Sequence, residues 1–366
     1  QAVTPTKKSL TYIDLFCGGG GLSLGVQNAG RFLGFSPRLA LAADMDEHAL
    51  NLVKAHFNPI YAKNKSVEEL VEYEVDLSGN SFDFITQPRI TDSQVASLKG
   101  RIDLLVGGPP CQGHSNLNNN TRRFDPRNLL YLIMPAFALA LDIPTIIIEN
   151  VQTITKAKED VVGISSRILQ GHGYSVEEFI LKASDFGVAQ SRTRHFLIAS
   201  KKRTLGPAEL IRAFAGEPLS FNQACLNLPR IDEKLSMIEK IGNISKENIK
   251  RINFLHDNSV HDLPNFARPE CHQDGTTYQS VYGRIHGNLP MTTITTGFSS
   301  PGRGRYVHPI ERRPISIREA GRVQAFPDMY WDKAVDLDLK KAHFQKIIGD
   351  AVPSLMVYPL MAALFA

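Results

Sequence analysis

The chain has few cysteines: four in 366 residues, Cys17, Cys111, Cys225 and Cys271, with no C-x-x-C pair among them. That spacing excludes the common zinc sites and any disulfide framework, so a reducing cytoplasmic setting and no metal are expected. There is no run of 18 apolar residues. The richest stretch, Met134 to Val151, is broken by Asp142, Pro144, Glu149 and Asn150, and neither a membrane span nor a signal peptide is read. Net charge is low as well, +4 overall, too little to define a polyanionic partner. Its distribution is more informative: residues 201–313 hold 16 Lys/Arg against 11 Asp/Glu, while the rest of the chain sums to −1. What remains is an ordinary globular mixture, 43% hydrophobic and 21% charged, long enough for two or three domains.

The first half alternates short apolar runs with helical periodicity, the pattern of βαβ units around a parallel sheet. Strands are predicted at Tyr12–Phe16, Leu39–Ala43, Ile102–Val106, Thr145–Ile148 and Phe196–Ala199. Helices are predicted at 22–28, 47–56, 128–141 and 160–171. From about residue 201, short helical stretches near 207–214 and 231–242 give way to glycine- and proline-rich sequence without a period. Helical pattern returns at 317–324 and from Ala342 to the end. The expected organisation is a doubly wound α/β domain over 1–200, a smaller irregular domain over 201–325, and a segment 326–366 that returns to the first domain.

Several segments carry chemistry. Gly18 to Gly21 follow a strand and open a helix, where backbone approaches a nucleotide, but Gly18-x-Gly20-x-x-Ser23 does not complete a dinucleotide fingerprint. Asp44, at the end of the second strand, is placed to accept from a ribose, with Met45 beside it as a surface for a base. In Gly108-Pro109-Pro110-Cys111-Gln112-Gly113 two prolines present Cys111 on a stiff loop, the placement of a nucleophile. His114 stands where a phosphate-binding loop needs lysine, so nucleotide hydrolysis is excluded. Glu149 ends an apolar strand, a position suited to a general acid. Gln190-Ser191-Arg192-Thr193-Arg194 precedes the last strand and brings two guanidiniums close together.

The order of these blocks is their strongest signal. Asp14-Leu15-Phe16-Cys17-Gly18-Gly19-Gly20, Pro109-Pro110-Cys111-Gln112-Gly113, Glu149-Asn150-Val151, Gln190-x-Arg192-x-Arg194, Arg318-Glu319-Ala320-x-Arg322 and Gly349-Asp350-Ala351-Val352-Pro353 together resemble the cytosine-C5 DNA methyltransferase family, including its bacterial restriction-modification members. The resemblance spans nearly the whole chain. It implies a Rossmann-like methyltransferase domain with a smaller target-recognition domain, and S-adenosylmethionine as cofactor. By that resemblance Phe16, Gly18 and Gly20 wrap the methionine part, Asp44 holds the ribose and Met45 faces adenine. Pro110, Leu130, Asp350, Ala351 and Val352 complete the cofactor site.

Two positions depart from the family's usual residues: Asn64 is the nearest match to an Asp that accepts from the adenine amino group, and Asp350 replaces an Asn. The segment from about Glu68 to Gly100 carries no family motif. The resemblance also implies Cys111 as nucleophile toward C6, Glu149 at N3 and Arg194 at O2, with Arg192 beside them. For the DNA it implies the loop after Cys111, including Ser115, together with Arg284, Thr295, Arg303 and Arg305 in the basic segment. The expected enzyme is a cytoplasmic monomer acting on duplex DNA, alongside a cognate restriction endonuclease. Methylation of tRNA and a catalytically silent DNA-binding relative are the alternatives.

Overall fold

The computed structural model describes residues 8–76, 83–110, 126–156, 159–202, 208–228, 238, 241, 243–273 and 280–366. Chain contacts divide these into two compact units. The first comprises residues up to Lys182, Thr193–Ala215 and Ser354–Ala366; the second comprises Ala183–Arg192 and Gly216–Pro353. The first unit thus extends to Ala215, apart from 183–192, and only the last 13 residues of the chain return to it; 326–353 pack within the second unit.

The first unit is built on seven strands: β1 Lys8–Leu15, β2 Phe35–Ala43, β3 Tyr61–Lys63, β4 Leu104–Gly107, β5 Thr145–Val151, β6 Ser175–Lys182 and β7 Thr193–Ser200. Their order is β3-β2-β1-β4-β5-β7-β6. Strands β1 to β5 run parallel, while β7 is antiparallel to both β5 and β6. The ten residues between β6 and β7 are fewer than a parallel crossover needs, so the chain returns antiparallel. The inner strands are covered on both faces and read as unbroken apolar runs, such as Ile146-Ile147-Ile148, all fully buried.

Helix α1 (Gly21–Phe32) follows β1 and α2 (Glu47–Phe57) follows β2; the Asp46 side chain caps α2 by accepting from His48 N and Ala49 N. Helices α3 (Ile133–Ala140) and α4 (Val161–Gly171) flank β5. The segment without a family motif is part of this body: Val71, Val95 and Leu98 belong to its hydrophobic core. Because β2 and β3 lie on one side of β1 and β4 on the other, the strand order reverses between β1 and β4. In open α/β sheets such a reversal, at the carboxyl ends of the strands, is where a binding crevice forms. Gly107, at the end of β4, allows close packing, since a Cβ would meet Leu15 O and the Met134 side chain at 2.8 Å.

The second unit has less regular structure: helices α5 (Lys246–Asp257), α6 (Ile317–Val323), α7 (Asp328–Val335) and α8 (Lys341–Asp350). Trp331 is fully buried and packs against Phe326, Tyr330 and Phe344. The final helix α9 (Val357–Phe365) belongs to the first unit, where Gly25 of α1 lets it approach; a Cβ on Gly25 would strike the Val357 side chain at 2.5 Å. By length and by the mean hydropathy of its most apolar window, 1.6, Lys341–Phe365 passes for a membrane-crossing helix, but it is core structure, in keeping with the sequence reading. Ala351 to Pro353 interrupt it, and 83% of its apolar window is buried in protein.

Candidate active site

The chain leaves β1 through a tight turn in which Phe16 (φ 55°), Gly18 (φ 48°) and Gly20 (φ 78°) all adopt left-handed backbone. Glycine takes that conformation at no steric cost; Phe16 takes it under strain. The turn is tied to the end of β2 by Asp44, whose Oδ2 accepts from Gly18 N at 2.8 Å and whose Oδ1 accepts from Asp46 N at 2.8 Å. Met45, next to it, is 74% exposed. The side chain of Asn64 reaches across from β3, and its Nδ2 donates to Asp44 O and Met45 O, both at 3.1 Å. Its amide hydrogens are therefore spent on backbone.

Asp14 lies fully buried under the turn. Its Oδ2 accepts from the Ser23 hydroxyl at 2.6 Å, while Oδ1 has no partner among the described residues. Burial pushes its carboxyl up to about 7, the Ser23 bond opposes this, and the charge of Asp44 adds to the rise. Burial likewise drives the Cys17 thiol well above its ordinary value, which makes it an inert core residue.

On the other side of the crevice, β4 runs into Gly108-Pro109-Pro110. Glu149, two residues before the end of β5, is buried against this loop: a Cβ on Gly108 would lie 3.0 Å from Glu149 Oε2. The next residue, Asn150, donates from Nδ2 to Pro109 O at 3.1 Å. Across the antiparallel pair, Arg194 Nε meets Glu149 Oε1 at 2.8 Å, and Arg194 Nη1 donates to Thr193 O. Both side chains of the ion pair are about 10% exposed, 12% for Arg194 and 9% for Glu149. Pro110 and Leu130 are half-buried. Cys111 and Ser115 lie outside the described residues.

The remaining predicted residues belong to the second unit. Arg192 was expected beside Arg194, but it is buried there, with Nη1 donating to Ile294 O (3.1 Å) and Gly349 O (3.2 Å). Gln190 shares that network, accepting from Ile294 N and donating to Gln324, which in turn donates to Ile348 O. The two arginines differ because Arg192 precedes β7 and Arg194 lies within it. Asp350 is the last residue of α8, 3.6 Å from Lys346, and both are more than half exposed; Ala351 and Val352 are buried.

Of the residues predicted to contact DNA, Arg305 donates to His261 O and Arg284 O and pairs with Asp262 at 2.6 Å. Arg284 Nη1 donates to Leu255 O, and the Thr295 hydroxyl bonds with Tyr306. These groups are committed to their own unit. Arg303 is exposed, its stem lying over Gly297, and its guanidinium has no partner among the described residues.

Sequence reasoning assigned no role to Asp14, Ser23 or Asn150. The first and last stand inside recognised motifs, so position was a usable signal; nothing in the sequence singled out Ser23.

The model of the C-5 cytosine-specific DNA methylases matches residues 10–366. Over 364 residues the chain is 36% identical to the type II methyltransferase M1.BsuMI of Bacillus subtilis strain 168, covering 97% of this chain and 80% of that protein. It is 26% identical to the type II methyltransferase M1.HphI of Haemophilus parahaemolyticus, covering 97% and 86%. Among solved structures, the fold matches the S. pombe Dnmt2 methyltransferase with a TM-score of 0.61 at 15% identity, over 98% of each chain. The chain therefore belongs to the C-5 cytosine-specific DNA methylase family and is an enzyme of that class, a DNA cytosine-5 methyltransferase.

Proposed function

We propose that the enzyme moves a methyl group from S-adenosylmethionine to C5 of a cytosine turned out of duplex DNA, through a covalent bond between Cys111 and C6. The observation that carries this reading is the Glu149–Arg194 pair seated against Gly108, three residues before Cys111. The crevice residues fit the cofactor. Gly18 leaves open space where a side chain would stand, and the acceptors Asp14 Oδ1 and Asp44 suit an ammonium group and ribose hydroxyls.

When bound, S-adenosylmethionine supplies an electrophilic methyl on a sulfonium. Phe16, Gly18 and Gly20 would hold its methionine part, Asp44 the ribose and Met45 the adenine, with Pro110 and Leu130 beside them; Asp350, Ala351 and Val352 are assigned to the cofactor by the family resemblance alone. Cytosine C5 is too weak a nucleophile to take the methyl unaided. The Cys111 thiolate adds to C6, which makes C5 an enamine carbon. Glu149 hydrogen-bonds or protonates N3 as charge develops there. Arg194 stabilises O2 from the guanidinium that also holds Glu149. After transfer, the C5 proton leaves to a base and the thiolate is expelled, which restores the ring. C6 is out of reach inside a duplex, so the base must leave the stack at a cost of a few kcal/mol. The proposed enzyme is a cytosolic monomer working beside a restriction endonuclease; the type II names of its relatives support the restriction-modification role.

Duplex DNA carrying 5-fluorocytosine tests the chemistry, because fluorine blocks the final elimination and traps the adduct on a denaturing gel. The wild type is expected to form it, while Cys111→Ala loses both adduct and methylation and retains cofactor binding. An adduct formed equally by the alanine variant overturns the assignment.

A further inference from the structure

We infer that Asn64 is a positioning residue for the adenosyl half of the cofactor, and that an aspartate in its place weakens binding. The inference rests on the S-adenosylmethionine reading above. The β2–β3 ladder pairs Leu41 with Tyr61, Ala42 with Ala62 and Ala43 with Lys63, and Asp44 N still donates to Lys63 O at 3.2 Å. Beyond this point the Asn64 side chain takes over from backbone. Its one NH₂ group spends a hydrogen on each of Asp44 O and Met45 O, both at 3.1 Å. The reverse amide orientation would set Oδ1 against two carbonyl oxygens, so chemistry fixes which way the amide faces.

The held segment carries two groups assigned to the cofactor. The Asp44 carboxylate is anchored on its far side by Gly18 N and Asp46 N, whereas Met45 is 74% exposed and has little packing to aim it. The direction of Met45 is thus set through its peptide carbonyl. The brace is itself stiff: Lys63, the preceding residue, pairs with Asp92 at 2.7 Å and donates to Gln94 at 2.8 Å. Supporting groups of this kind set the precision of a binding site. A carboxylate at position 64 has no hydrogen to donate at neutral pH and places its charge on two carbonyl oxygens. Both bonds are lost and a repulsion is added, so the peptides at 44 and 45 turn away.

Calorimetric titration with S-adenosylmethionine, S-adenosylhomocysteine and 5′-methylthioadenosine, which lacks the amino-acid part, tests this in the full chain. Asn64→Asp is expected to weaken all three by about tenfold, the worth of one to two such hydrogen bonds, and Asn64→Ala by less. In steady state the loss falls on KM for the cofactor more than on kcat. Wild-type binding of all three with both variants within twofold of it overturns the inference and leaves the cofactor reading intact. So does a loss confined to the two ligands that carry the amino-acid part. Failure of the wild type to bind any of the three overturns the cofactor reading itself.

Discussion

Asp14 shows how far one residue's surroundings can move its chemistry. It is fully buried, and burial carries its carboxyl from 3.8 to about 7. The folded value lies above the unfolded one, so the protonated carboxyl's contribution is complete below about pH 4 and is lost as pH rises through 7. That window corresponds to on the order of 4 kcal/mol. Asp14→Asn removes the titration while keeping the shape. Urea unfolding at pH 5 and pH 8 is expected to show the wild type losing stability between the two and the variant losing much less; parallel losses would show that Asp14 is ionised throughout. At the same scale, Glu149 and Arg194 are each other's counter-charge, so neutralising either leaves the other buried without its partner.

The elements are held by close backbone approaches as much as by apolar faces. Gly349, in the last turn of α8, lies close against backbone in the second unit: a Cβ there would lie 2.3 Å from Thr296 N and 2.6 Å from Thr295 C, both backbone atoms that cannot swing aside. Its carbonyl also accepts from Arg192. Gly349→Ala is expected to destabilise the protein by about 1–3 kcal/mol, measured by chemical denaturation; a loss within error would mean that the 295–296 loop yields. The neighbouring Asp350 places a negative charge at the carboxyl end of a helix, where the dipole disfavours it. Its exposed pair with Lys346 offsets little of this.

For the whole molecule, the basic surplus of residues 201–313 is a poor guide to which arginines meet DNA. Arg305 is only 14% exposed and bonded to Asp262 and two carbonyls, whereas Arg303 is exposed. Arg303→Ala is expected to weaken duplex binding with Tm unchanged and to lower the slope of log affinity against log salt by about one. Arg305→Ala is expected to lower Tm. Fluorescence anisotropy at about 50–200 mM salt reads the slope, thermal unfolding reads the Tm, and a methyl-transfer assay compares duplexes with a structured tRNA. An unchanged slope removes Arg303 from the interface, and methylation of the tRNA with none on any duplex overturns the substrate.

Taken alone, the sequence determined the family, the α/β class and the inner strands, because those depend on local pattern and on the order of short motifs. It ended β5 at Ile148 with Glu149 after it, whereas the strand runs on to Val151 and Glu149 lies within its ladder pairs. It missed β3, three residues long, and β6, an edge strand whose outward residues blur the alternation. Helix α5 stood within polar sequence and was passed over as well. Partnership was decided only in three dimensions. Nothing local distinguishes Arg192, bound to Ile294 and Gly349, from Arg194, bound to Glu149, or Arg305 from Arg303. The distant partners of Arg192, Arg194 and Arg305 lie 21 to 157 positions away, and such contacts leave no periodic mark in the chain.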